Sequence, residues 1–139
     1  MIVRQLGYAL AFAALILAAA AGLRYGVVSG AVDAESARRI MQVLLGLGLA
    51  GYGNFMPKKL GRPRRSPEAE ARMQAALRVG GWAMTLAGLA YAGLWALAPL
   101  ALADTGGTIA VASAAATTLG YALWCFAACR GARNASAQR

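Results

Sequence analysis

At 139 residues, with 60% hydrophobic residues, a mean hydropathy of +0.54 and 17 glycines, the chain is more apolar than a soluble domain of this size. Its 14 Lys and Arg against 5 Asp and Glu give a formal charge of +9, but the basic residues flank long uncharged stretches instead of covering a soluble face, which argues against nucleic-acid binding. Two cysteines and no histidine leave a zinc or haem site without ligands, and with no clustered acid pair or phosphate-cradling loop either, the expectation is a non-enzyme without cofactors.

Residues 5–23, 40–57, 79–103 and 105–129 carry no charged side chain. A hydrocarbon core ~30 Å thick needs about 20 apolar residues of helix, so each stretch is long enough to cross it. The predicted fold is therefore all-α and integral to a membrane, with four transmembrane helices in an antiparallel up-down bundle forming one domain over 1–139. A link at 24–39, a basic segment at 58–72, a tight turn near Asp104 and a tail from Arg130 account for the remainder.

Span one follows Arg4 and has Tyr8 and Tyr25 near its ends, the placement of interfacial aromatics. A signal peptide competes for this segment. Secretory cores run about 7–15 residues, whereas this one continues uncharged from Gln5 to Leu23, so a retained helix is expected. Gly26, Ser29 and Gly30 read as breakers, and Asp33 as an N-cap with Glu35 in the first turn, which starts the second helix near Ala34.

In span two Gly46, Gly48, Gly51 and Gly53 crowd together, a composition that lets a neighbouring backbone approach closely in lipid and marks the expected centre of packing. The helix should stop at Met56, because Pro57 biases the residue before it away from helix. The next segment, LGRPRRSP, reads as an exposed turn. Ser66, Pro67 and Glu68 then give a start signal, and the third helix is predicted to rise from the cytoplasm near Pro67 and run unbroken to Ala98 and Pro99, roughly 45–50 Å.

The fourth span is predicted to open after Asp104, Thr105, Gly106 and Gly107. Ser113, Thr117 and Thr118 within it are expected to bond to helix carbonyls. Cys125 and Cys129, one turn apart, read as packing residues in a reducing compartment. Asn54 and Arg78 stand near one boundary on consecutive helices, where the amide oxygen could accept from the guanidinium; a capping asparagine and an arginine snorkelling to phosphate serve equally well.

Lys58, Lys59, Arg62, Arg64, Arg65 and Arg72 lie between the second and third spans, and Arg130, Arg133 and Arg139 follow the fourth. Loops rich in Lys and Arg stay in the cytoplasm, so both termini and the middle loop are placed inside a bacterial inner membrane, with the third helix projecting into the cytosol. The opposite side then receives Arg24, Asp33, Glu35, Arg38, Arg39 and Asp104, close to neutral in sum.

The segment Gly53, Asn54, Phe55, Met56, Pro57, Lys58, ending a span, resembles the hallmark of the SdpI-like family of small membrane immunity and signalling proteins, and Arg78, Val79, Gly80 and Gly81 resemble the family's re-entry into the next span. Between the two matches the chain reads KLGRPRRSPEAEARMQ in place of the family's usual loop. The resemblance implies a membrane protein that protects its producer from a secreted toxin. On that footing the basic residues 58, 59, 62, 64, 65 and 72 are expected to meet a protein partner or anionic phospholipid, while Gly53, Asn54, Met56, Pro57, Arg78, Gly80 and Gly81 are motif positions. A small oligomeric transporter or channel, and a scaffold or assembly factor for a larger membrane complex, are the rival readings, and a homo-oligomer stays open.

Overall fold

The computed structural model describes residues 2–56 and 67–137, with side chains at 6, 7, 10–56, 67 and 70–128. It consists of four α-helices, α1 (Ile2–Val28), α2 (Ala34–Phe55), α3 (Pro67–Leu97) and α4 (Leu100–Ala137), and no strand among the described residues. Two stretches, Leu10–Val28 in α1 (mean hydropathy 1.8) and Leu100–Ala128 in α4 (mean hydropathy 1.5), are long and apolar enough to cross a membrane. The chain forms two compact units, Met1–Gln42 and Val43–Arg139.

In the first unit α1 continues through Arg24, Tyr25 and Gly26, so Gly26 does not break it as expected from its type. Its end is a hydrogen-bonded cap. Gly30 takes φ +74°; its N–H donates to Val27 O at 3.1 Å while the Ala31 N–H reaches back to Gly26 O at 2.9 Å. This paired arrangement satisfies carbonyls that a helix end otherwise leaves open, and only glycine takes that φ without strain. Gly26 instead meets Val32, whose Cγ2 lies 3.2 Å from the position a Cβ would occupy.

Helix α2 starts where its cap signal lies. The Ser36 N–H donates to Asp33 Oδ1 at 2.8 Å and the Ala37 N–H to Asp33 O at 3.0 Å, which makes Asp33 the N-cap. Those bonds from Ser36 hold the Asp33 carboxyl below the usual carboxylate range. One turn on, Arg39 Nε donates to Glu35 Oε1 at 3.0 Å. At the other end α2 reaches Phe55, and Met56, directly before Pro57, has already left the α-helix for a 3₁₀ turn.

In the second unit α3 runs 31 residues from Pro67, and its end at Leu97 agrees with the expected limit. The turn that follows is not at Asp104. Only Ala98 and Pro99 separate α3 from α4, so the uncharged stretch 79–103 belongs to two helices and Asp104 is already helical. Pro99 has no N–H to continue α3, while its carbonyl accepts from Ala103 N at 2.9 Å and so opens α4. Gly106 and Gly107 are not breakers but packing positions: a Cβ on Gly106 would lie 3.0 Å from Leu94 Cδ1, and one on Gly107 2.9 Å from the Tyr91 ring and 3.3 Å from Trp95 Nε1.

Burial runs opposite to that of a water-soluble core. The buried hydrophobic residues among those described are Ala37, Ala50, Ala87, Ala92, Ala103, Ala114 and Trp95, the last 1% exposed. Large apolar side chains such as Leu15, Leu17, Trp82, Leu123 and Phe126 face outward, and no polar side chain among the described residues is buried.

Candidate functional site

The candidate site is the end of α2 and the facing length of α3, which hold Gly53 to Met56 and Arg78 to Gly81. Helix α3 has three distinct faces. Gly81, Thr85, Gly88 and Ala92 meet α2; Gly80, Tyr91, Leu94 and Trp95 meet α4; and Arg78, Trp82, Leu86 and Leu89 are exposed. The spacing of four, three and four residues in the first set keeps those small residues on one side of a 3.6-residue helix.

Against this face α2 presents Gly46, Ala50 and Gly53 in reverse order, so the two helices are antiparallel. A Cβ on Gly46 would sit 2.8 Å from Ala92 N and from Gly88 O; one on Gly88, 2.5 Å from Ala50 N; one on Gly53, 2.7 Å from Gly81 O and Thr85 N. At those separations backbone meets backbone, which only glycine permits. Thr85 Oγ1 donates to its own helix at Gly81 O, 2.8 Å, and approaches Ala50 O across the interface at 3.3 Å.

The paired glycines Gly80 and Gly81 serve two neighbours. Gly81 O abuts Gly53 of α2, and a Cβ on Gly80 would lie 3.1 Å from Thr118 Cγ2 of α4. Adjacent residues project about a quarter-turn or more apart on a helix, so consecutive glycines let two helices approach at one level. Gly53, near the end of α2, and Gly81 of α3 are therefore in contact.

The other expected positions are distributed as follows. Asn54 and Arg78 are both exposed, and among the described residues no hydrogen bond joins them. Gly51 faces open space, with nothing within 4 Å of a Cβ built there, and Gly48 is half-buried. Met56 is half-buried and Arg72 exposed. Pro57, Lys58, Lys59, Arg62, Arg64 and Arg65 lie outside the described residues. Thr117 and Thr118 donate to Ser113 O and Ala114 O at 2.8 and 2.7 Å, the expected return to their own helix.

Two concave surfaces adjoin this region. A groove of about 450 Å³ is lined by Ala71, Gln74, Ala75, Arg78 and Val79 of α3. Another of about 450 Å³ runs between α2, α3 and α4, lined by Leu45, Leu49, Tyr91, Thr108, Val111 and Ala115 among others. No group of three or more His, Cys, Asp or Glu side chains is placed to hold a metal ion among the described residues.

Gly88, Ala92 and Gly107 were not anticipated from the sequence. A run of small residues at 81, 85, 88 and 92, matching one at 46, 50 and 53, is the signal that would have found the first two. No family model, curated protein or solved structure matches the chain.

Proposed function

We propose that the chain is an integral protein of a bacterial inner membrane, crossing it four times with both termini and the 58–72 segment in the cytoplasm, and that its hairpin 54–78 contacts a protein partner or anionic lipid in the manner of an SdpI-like immunity protein. The observation that carries the membrane reading is the inverted burial: alanines and one tryptophan inside, large leucines and aromatics outside. Apolar patches of more than a few hundred Å² are rare on soluble monomers. Without a hydrophobic drive between helices in lipid, close packing of small residues holds them together, and that is the α2–α3 crossing.

The charge asymmetry supports the orientation. The Gly53–Gly81 contact supports treating the two motif segments as one unit, since it brings them to the same level. Each Lys or Arg beside an anionic surface adds about 1 kcal/mol, so a segment with five between Lys58 and Arg65 is drawn to the membrane unless a partner competes.

Single cysteines at positions 31 and 62, in a chain carrying Cys125→Ser and Cys129→Ser, test the topology. In intact spheroplasts an impermeant maleimide should label position 31 and reach position 62 only after lysis; the reverse pattern overturns the orientation. Replacing Arg62, Arg64 and Arg65 with glutamine should lower both enrichment of anionic lipid and partner capture, and unchanged values for both would remove the hairpin's role.

A further inference from the structure

We propose that the exposed face of α3 binds one anionic phospholipid, its phosphate held between Gln74 and Arg78 and an acyl chain lying along Trp82, Leu86 and Leu89. The proposal rests on the membrane reading above and narrows its lipid contact to a site. Two faces of α3 are taken by α2 and α4; beside them lie in sequence a groove with two polar side chains on its border and an apolar track. Ala71 and Ala75 have short side chains that leave the groove its volume of about 450 Å³, and Gln74 and Arg78, one turn apart, border it with an amide and a guanidinium.

Below Arg78 the face changes character at once. Trp82 is 66% exposed, Leu86 59% and Leu89 51%. From Arg78 to Leu89 is about 16 Å of helix, close to half of a ~30 Å hydrocarbon core, so the track is one leaflet deep. Arg78 opens the uncharged stretch and Trp82 follows one turn later, the order in which a headgroup phosphate and the interfacial layer are met.

A guanidinium suits a phosphate because its planar donors pair two oxygens at once. Every phospholipid offers that phosphate; the anionic ones are preferred because the ammonium of a zwitterionic headgroup would be repelled beside the Arg78 guanidinium that borders the groove. Of the two acids at the start of α3, Glu68 and Glu70, the latter is exposed and stands one turn before Gln74, about 12 Å along the axis from Arg78, on the cytoplasmic side of the groove.

Trp82 reports on its own site. The full chain carrying Trp124→Phe is reconstituted in phosphatidylcholine vesicles containing increasing brominated phosphatidylglycerol or, in parallel, brominated phosphatidylcholine, and tryptophan emission is read. Trp95, 1% exposed, supplies a constant unquenched background. Brominated phosphatidylglycerol should quench at about fivefold lower mole fraction, the factor expected for one basic residue at an anionic surface.

Arg78→Gln should bring the two lipids to the same curve, Arg78→Lys should keep a reduced preference, and Arg38→Gln, at the start of α2, should leave it unchanged. Equal quenching in the parent chain, or a preference untouched by Arg78→Gln and Arg78→Lys alike, overturns the site while leaving the membrane reading intact. Loss of the preference on adding inorganic phosphate at millimolar concentration would assign the groove to a soluble anion and overturn the lipid. Absence of quenching by either lipid sinks the membrane reading and the site together.

Discussion

The Gly53 Cα and the Gly81 carbonyl approach so closely that a single methyl group on Gly53 would stand 2.7 Å from that oxygen. Both residues are buried, and each belongs to a different stretch of the sequence motif. The contact is one of a series, with Ala50 on Gly88 and Gly46 on Ala92 further along, so the α2–α3 crossing is a backbone-to-backbone seam.

Gly88→Ala should be more disruptive than Gly46→Ala or Gly53→Ala at the same seam. Its Cβ would lie 2.5 Å from Ala50 N and 2.6 Å from Gly46 O, neither of which is a flexible side-chain end. Overpacking costs typically about 1–3 kcal/mol, read as a lower midpoint in denaturant titration of the purified protein in detergent. Gly51→Ala is the control: nothing lies within 4 Å of its Cβ, so the change should be neutral or stabilising by less than about 1 kcal/mol.

Thr85→Val should remove a side-chain hydrogen bond across the seam, from Oγ1 to Ala50 O at 3.3 Å, together with the shorter bond to Gly81 O. Interhelical hydrogen bonds in membranes are worth about 0.6 kcal/mol on average. The expected loss is of that order, smaller than for Gly88→Ala, and a loss as large as that of Gly88→Ala would mean the seam is held by polar contacts instead of close packing.

Trp95→Ala should cost about 3–5 kcal/mol, because it empties the largest fully buried position between α3 and α4. Tyr91, whose ring centroid is 6.2 Å from that of Trp95, should lose its fixed orientation with it. Trp95→Phe should recover most of the stability, and near-ultraviolet circular dichroism follows the aromatic packing in both variants.

The start of α2 should respond to acid in one direction only. Asp33 has its pKa lowered from 3.8 by the bonds from Ser36, so the carboxylate's contribution is fully present above the unfolded value and is lost as pH falls through the lowered one. Amide exchange at Ser36 and Ala37 should therefore be protected at neutral pH and less so in strong acid. Asp33→Asn should keep the cap and abolish the pH dependence, whereas Asp33→Ala should lose protection at every pH.

Helix starts and stops in this chain follow local signals where the partner is near in sequence, although Gly26, a breaker by type, lies inside α1. Asp33 caps α2 through a residue three positions away, Pro67 opens α3, and Met56 ends α2 because Pro57 follows it. The turn between α3 and α4 lies at Ala98 and Pro99 and not near Asp104: Asp104, Thr105, Gly106 and Gly107 have the composition of a breaker, but the missing N–H of Pro99 already divides the two helices. Their glycines then answer to Leu94 and Tyr91, about a dozen or more residues earlier in the chain, and no local pattern announces that.

The glycines of α2 separate the two kinds of information most clearly. Their abundance follows from the letters, and so do the four uncharged stretches, the basic flanks and the helical class, because hydropathy and charge are properties of each residue wherever it lies. Which glycine is indispensable depends on how α2 is rotated against α3: Gly46 and Gly53 face Ala92 and Gly81 across less than a methyl's width, while Gly51, between them, faces nothing. That rotation is set by the closest fit of two helix surfaces at once, a condition neither helix carries alone, and it also decides which side of α3 is left to present Arg78 above Trp82.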